Sequence, residues 1–423
     1  MSACISKEKI LLLGGLYCSQ FLAISFIFTA LPAILRSEGA DLNSIAWLYS
    51  FGLIWSIKLL WAPIVDAYGS RKFGHYRSWI LILQPLMVFS ILLGAIFPVP
   101  ESLGMLGVAL GFLSICSATQ DIAVDALAVK SLSKDERGLG NSIQTTGGFI
   151  GSIIGGGFVL LAYDLLGWKG SMFLLALMTT IPLFMISRYK EQGMPSVHGT
   201  VLPHLYSSNS IARTTGRKGY LRALEFLTKR ENLSWILTLI AFSISISAVA
   251  TLLTPMLVDF GWSLQHIGIA TNIIGPISGV LGAFSAGSIL LRMFKRKTSI
   301  LICGLFMVVA IATLLLPAGG YSSSFIIYGV IICIYFGYGM MVTVFYTVMM
   351  DKSRHISAGT DYTVQYSCFS ITGYISAMVM MSIASDYGYS VAIYCALSTG
   401  MMSIFLVIIL SNSSFTSREI VSP

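Results

Sequence analysis

The chain has 423 residues, of which 56% are hydrophobic and only 10% charged, whereas a soluble domain carries about a quarter charged residues. Water cannot solvate a surface so poor in charge, which excludes a soluble globular protein and leaves lipid as the solvent for most of the chain. The formal net charge of +8 is spread over loops between apolar runs, which argues against a nucleic-acid-binding surface.

Crossing a hydrocarbon core takes roughly 20 apolar residues of helix, and only helices or closed barrels satisfy the backbone there. Long unbroken apolar runs predict helices at 10–35, 45–65, 79–97, 103–129, 139–163 and 169–187. After a long polar stretch, further runs predict helices at 235–257, 266–290, 298–318, 324–350, 361–383 and 389–411. The first run follows Lys7 and Lys9 but is too long for a signal-peptide core and has no small-residue cleavage site, so it reads as a retained span. Seven scattered cysteines, without paired or metal-ligand spacing, read as small buried hydrophobes. The expected fold is an all-α membrane protein with 12 transmembrane helices arranged as two six-helix halves, 1–187 and 235–423. A cytoplasmic linker, 188–234, joins them. Within the linker, Arg217–Leu233 places Leu221, Leu224 and Leu227 on one helical face, as in a short helix lying on the membrane surface. Leu35, Gly39, Leu42 and Ile45 recur as Leu257, Gly261, Leu264 and Ile267, each time leading from the first span of a half to its second. That repeat fits two parallel halves.

Orientation follows from counting Lys and Arg. One side carries Lys7, Lys9, Arg71, Lys72, Arg77, Lys130, Lys134, Arg137, eight residues between 188 and 234, Arg292, Lys295, Arg296, Lys297, Lys352, Arg354 and Arg418. That is 23 of 26; the other side has Arg36 and Lys169, and Lys58 falls inside a span. Both termini and the linker are therefore expected to face the cytoplasm.

A charge inside a span costs several kcal/mol unless paired or hydrated, so each one is a functional candidate. Lys58 lies in the second span. Asp121 and Asp125 stand at i, i+4 on one face near the end of the fourth, with Asp121 deeper. Chain direction brings Lys58 and Asp121 to comparable depth, either as a structural ion pair or as a pair that binds and releases a proton. Burial disfavours the charged form of a carboxylate and a neighbouring ammonium favours it, so movement of the pair would switch proton affinity. Asp121 is the first expectation for the protonated carboxylate, Lys58 its partner and Asp125 the alternative. Asn141, Asp351 and Asp361 mark cytoplasmic helix ends, where interfacial water suffices to explain the two carboxylates. A polar cavity is expected to be lined by Tyr17 and Gln20 in the first span, Gln120 in the fourth and Gln144 in the fifth. Tyr335 and Tyr338 in the tenth span and Gln365 and Tyr366 in the eleventh complete the set; helix packing is the alternative for each. Glycines crowd the fifth span, where Gly151 and Gly155 form a GxxxG that permits close helix approach.

The run Asp66-Ala67-Tyr68-Gly69-Ser70-Arg71-Lys72 resembles the loop between spans 2 and 3 of major facilitator proteins. The resemblance implies that Asp66, with Gly69 and Arg71, latches neighbouring helices and governs conformational exchange; the alternative is a solvated helix end. Lys58-Leu59-Leu60-Trp61-Ala62-Pro63-Ile64-Val65-Asp66 and Thr119-Gln120-Asp121-Ile122-Ala123-Val124-Asp125 resemble signatures of AmpG-type permeases of the major facilitator superfamily. Glu136-Arg137-Gly138-Leu139-Gly140-Asn141 and Gly359-Thr360-Asp361-Tyr362 add to the match. The resemblance implies the major facilitator fold. Twelve spans, Gly138 to Gln144 and Gly155-Gly156-Gly157 look, within that group, most like siderophore importers of the rhizobactin/pyochelin type. What it implies is proton-coupled import of a ferric siderophore from periplasm to cytoplasm across a bacterial inner membrane, by alternating access. The alternatives are a muropeptide as substrate, or efflux of a siderophore or drug. The implied partners are the small-molecule substrate, protons and the bilayer, with no cofactor, no metal site, no nucleic acid and a monomeric chain. The sequence offers no nucleophile–base pair, metal cluster or phosphate loop, so an enzyme is not expected.

Overall fold

The computed structural model describes residues 5–38, 47–70, 72–97, 102–191, 219–262, 264–321 and 323–410. Arg71, the repeat positions Gly39, Leu42 and Ile45, and most of the expected linker lie outside the described residues. In chain order α1 is Lys7–Ser37, α2 spans 51–67, α3 is His75–Gly94 and α4 is Leu103–Ser131. Helices α5 and α6 share the stretch Arg137–Arg188, and α7 is a short helix over 219–228. Then come α8 (Arg230–Asp259), α9 (264–293), α10 (Arg296–Ala318), α11 (Ser324–Lys352), α12 (Ala358–Tyr387) and α13 (Tyr389–Ile409).

Ten described stretches are long and apolar enough to cross a membrane, but one of them, Arg137–Arg188, runs to 52 residues. A straight helix of that length would measure about 78 Å, far more than a bilayer core. The chain turns at Gly167, whose φ of 61° lies in the left-handed region open to glycine, and this separates α5 from α6. The second predicted span is α2, which is not a continuous α-helix: a 3-10 turn at Lys58–Leu60 interrupts it before Ala62 and Pro63. With both, twelve crossings result among the described residues, each within a few residues of its expected place. Their outer faces carry large apolar side chains such as Leu161, Leu165 and Phe325, the inverse of a water-soluble surface.

Among the first six crossings α1 packs on α4 and α5, and α3 on α4 and α6. Among the last six α8 packs on α12 and α13, α9 on α11, and α10 on α11 and α13. Contacts between the two groups run from α5 to α9 and α11, and from α2 and α4 to α12. The glycines of α5 explain its place on α1: a Cβ on Gly151 would lie 2.3 Å from the Cys18 carbonyl oxygen, and one on Gly155 2.1 Å from that of Leu22. The ladder loosens to π-helical turns at Phe26–Ala30 in α1, Ile153–Phe158 in α5 and Ala270–Ile274 in α9.

Helix α7 corrects part of the expectation for the linker. The predicted stretch Arg217–Leu233 is not one helix, because Lys229 breaks it and α8 already starts at Arg230. Leu221 and Leu224 are exposed, but Leu227 leans on the core and Phe226 is buried. Tyr220 donates to the Leu60 carbonyl in α2 at 2.7 Å, while Arg354 bonds Glu225 at 3.1 Å. The helix is thus tied to both groups of crossings.

Candidate functional site

The break in α2 delivers Lys58 to the interior, where it is fully buried and forms an ion pair with Asp121 of α4. A buried ammonium without a counter-ion costs several kcal/mol, so the pairing is a condition for this helix to exist here. Its Nζ also lies 4.2 Å from the ring centre of Tyr366 in α12 and 4.9 Å from that of Trp55, an arrangement favourable to a cation. One turn further along α4, Asp125 accepts from the Tyr17 hydroxyl at 2.8 Å and from Gln144 Nε2 at 3.3 Å. Gln144 Nε2 also donates to Tyr362 Oη at 3.3 Å. The rings of Tyr346 and Tyr366, and of Tyr346 and Tyr362, stand 6.3 Å apart. Side chains from α1, α2, α4, α5, α11 and α12 therefore meet around two carboxylates and one ammonium.

The structure thus brings together six of the predicted residues: Lys58, Asp121, Asp125, Tyr17, Gln144 and Tyr366. Gln20 and Gln120 are fully buried, and all four of their amide atoms lack a protein partner. Leaving such atoms dry costs about 1–3 kcal/mol each, so water or a ligand must serve them. Gln365 does not fit the cavity expectation. Its Oε1 accepts from Trp235 at 2.7 Å, and its Nε2 donates to the carbonyls of Asp361 and Met349. Tyr335 donates to the Thr271 carbonyl at 3.0 Å, and with Tyr338 it gathers on the ring of Phe149, forming a second aromatic group. Trp55 and Tyr362 were missed. Their signal was positional: Trp55 is one turn from Lys58, and Tyr362 one turn from Tyr366.

At the end carrying the basic loops the two groups of crossings are joined by charge. Asp66 accepts from the Gly359 and Thr360 amides at 3.0 and 2.7 Å, from the Thr360 hydroxyl at 2.7 Å and from the Tyr76 hydroxyl at 2.7 Å. It so caps the first turn of α12, where amides are unsatisfied and the helix dipole favours an anion. Gly359 is needed there, since a Cβ would lie 2.8 Å from Asp66 Oδ1. Gly69 is crowded by His75, whose Nδ1 would stand 2.5 Å from an added Cβ.

Asp351 and Asp361 overturn the expectation of solvated helix ends, for both are buried. Asp351 binds Arg137 at 2.9 Å and Arg296 at 2.7 Å, and Asp361 binds Arg354 at 2.7 Å. Arg137 and Arg296 from the starts of α5 and α10, and Arg354 from the α11–α12 turn, thus take the place of interfacial water. Asn141 is buried beside them and donates to the Arg137 carbonyl at 2.7 Å. Higher up, Thr343 donates to Thr145 at 3.2 Å and Ser370 to Ser56 at 3.0 Å.

Comparison with known proteins places this architecture. The Major Facilitator Superfamily model matches residues 13–377. The anhydromuropeptide permease of Escherichia coli K12 is 26% identical over 303 residues, covering 71% of this chain and 58% of that protein. The match therefore spans less than two thirds of that permease. An uncharacterized protein of Haemophilus influenzae is 24% identical over 397 residues, covering 92% of this chain and 91% of its own. A putative transporter AmpG 4 of Rickettsia felis is 24% identical over 283 residues, 64% of this chain and 65% of that one. The human organic anion transporter MFSD10 (TETRAN) superposes with a TM-score of 0.71 at 14% identity, covering 96% of this chain and all of that one, a likeness of fold alone. The expected likeness to siderophore importers finds no support among these relatives. Of the glycines that carried it, Gly138 packs against Gly287 and Leu291, and Gly155 against Leu22. Twelve crossings among the described residues, the family match and the shared fold lead to one conclusion: the chain is a multi-pass membrane protein that belongs to the Major Facilitator Superfamily.

Proposed function

We propose that this protein imports anhydromuropeptides, or cell-wall fragments of that sugar–peptide class, across a bacterial inner membrane by proton-coupled alternating access. The observation that carries the coupling is the buried Lys58–Asp121 pair, covered by Tyr366 from the far group of helices. In this reading residues 1–187 rock against 235–423 about a central cavity. Opening the seam withdraws Tyr366 from Lys58 and Tyr362 from Gln144, admits water to the carboxylates and lets Asp121 take up a proton as its pair with Lys58 parts. Asp125 is the second acceptor, held by Tyr17 and Gln144. Asp66 and the Arg137–Asp351 pair latch the closed end, which the excess of Lys and Arg assigns to the cytoplasm. The chain works as a monomer with both termini cytoplasmic.

The substrate class rests on the named permease relatives. Unpartnered amides at Gln20 and Gln120 and the aromatic rings around Lys58 suit a ligand rich in hydroxyls, amides and carboxylates. The test is uptake of radiolabelled anhydromuropeptide by proteoliposomes under an imposed proton gradient, with and without protonophore. Accumulation that the protonophore abolishes is expected. No uptake by correctly inserted protein would overturn the substrate, and uptake indifferent to the gradient would overturn the coupling. Iron-loaded siderophores in the same vesicles should not accumulate.

A further inference from the structure

Several tyrosine hydroxyls inside the bundle are spoken for: Tyr17 donates to Asp125, Tyr335 donates to the Thr271 carbonyl, and Tyr362 accepts from Gln144. Those of Tyr338, Tyr346 and Tyr366 differ. Among the described residues none of the three has a hydrogen-bond partner, yet none is wholly enclosed. Tyr338 and Tyr366 are half-buried and Tyr346 is 7% exposed. Tyr338 stands on the side of α11 turned away from the lipid-facing Phe325 and Ile332, so the surface it leaves accessible adjoins space inside the bundle. The three phenols lie within electrostatic reach of one another. A phenol without a partner in an apolar interior is disfavoured, and three grouped together call for an occupant that both donates and accepts hydrogen bonds. The wall behind them is fixed: Phe149 meets Tyr338 edge-on at 6.2 Å, and a Cβ on Gly279 would lie 2.3 Å from the Phe149 ring, which therefore rests on the backbone of α9. All three phenols come from α11 and α12, whereas Lys58, Asp121 and Asp125 come from α2 and α4. An uncharged, hydroxyl-bearing wall in the last six crossings thus faces a charged one in the first six.

We propose that Tyr338, Tyr346 and Tyr366 hold the sugar part of the substrate by hydrogen bonds to its hydroxyl groups, leaving the peptide part to the charged wall. A phenol donates one hydrogen bond and accepts others, as a sugar hydroxyl does, and the aromatic rings cover the apolar faces of a sugar ring. A peptide carboxylate is matched by a cation, which the opposite wall supplies in Lys58. The inference rests on the sugar–peptide reading of the substrate given above.

The test is isothermal titration calorimetry on the purified full-length protein in detergent with two probes, an intact anhydromuropeptide and its disaccharide with the peptide removed. Wild type should bind both. Tyr338→Phe and Tyr366→Phe should each weaken both by about fivefold, the worth of one neutral hydrogen bond. Each should keep the wild-type unfolding midpoint, because the lost hydroxyl has no protein partner. Tyr328→Phe, which removes a phenol from the same helix beside Trp262, should change neither affinity. Wild-type affinities in both Tyr338→Phe and Tyr366→Phe would overturn the proposal and leave the substrate reading standing. So would a loss seen with the intact ligand alone, or a disaccharide that wild type does not bind while it binds the intact ligand, since either result moves the hydroxyls to the peptide. Failure of wild type to bind either probe would overturn the substrate reading and this proposal with it.

Discussion

Asp121 and Lys58 neutralise each other inside the bundle, so a change to either alone leaves a stranded charge. Breaking such a pair costs about 3–5 kcal/mol, and loss of transport by Asp121→Asn would not by itself separate folding from coupling. The double variant Lys58→Met with Asp121→Asn does, because it removes both charges. If coupling runs through the pair, the double variant inserts and unfolds near the wild-type midpoint, yet its gradient-driven accumulation falls at least tenfold. Wild-type accumulation by that variant would make the pair structural. Outside the membrane, Glu225 allows a pH prediction. Hydrogen bonds from Lys229 and then Arg354 hold its carboxyl below the usual carboxylate range. A lowered value in the folded state means that docking of α7 is favoured above the ordinary pKa and lost as pH falls through the lowered one. Amide protection over 219–228, taken relative to the intrinsic exchange rate at each pH, should therefore be unchanged between pH 7 and 5 and should fall below about pH 4. Glu225→Gln should already show the faster exchange at pH 7.

At the scale of elements, close approach of α5 to α1 depends on glycine. Gly151→Ala and Gly155→Ala put a methyl group into backbone on the facing helix, and overpacking of this kind costs about 1–3 kcal/mol. Gly157, whose Cβ would find its nearest neighbour at 3.8 Å, is the control. Thermal unfolding in detergent should show large losses for the first two and no loss for Gly157→Ala. Equal midpoints for all three would mean that α1 and α5 can move apart freely.

Across the whole molecule, the latch sets how often the basic end opens. Asp66 satisfies two amides and a hydroxyl of α12, and an anion at a helix N-terminus contributes about 1 kcal/mol. Asp66→Asn should therefore raise the open population about fivefold. A cysteine introduced at Thr145, which faces Thr343 across the seam, should be alkylated from the basic side faster by the same factor. Unchanged alkylation would remove Asp66 from the latch.

Much of this was legible in the chain itself. Spans, the sidedness of positive charge, the i, i+4 carboxylates and Lys58 at matching depth are one-dimensional properties, and hydrocarbon thickness converts them directly into structure. Tertiary structure decided which groups meet across the seam. Arg137 and Asp351 lie 214 residues apart and Asp66 and Thr360 294, and no periodicity encodes such pairs. Their registers follow from glycine contacts between helices, which set which turn of one helix faces which turn of another. The same packing buried Asp351 and Asp361, used up Gln365 internally and drew Trp55 and Tyr362 toward the charged centre. Hydropathy reports how much of a helix prefers lipid, but only the assembled bundle decides which of its polar groups find protein partners and which, like Gln20 and Gln120, remain for water or substrate.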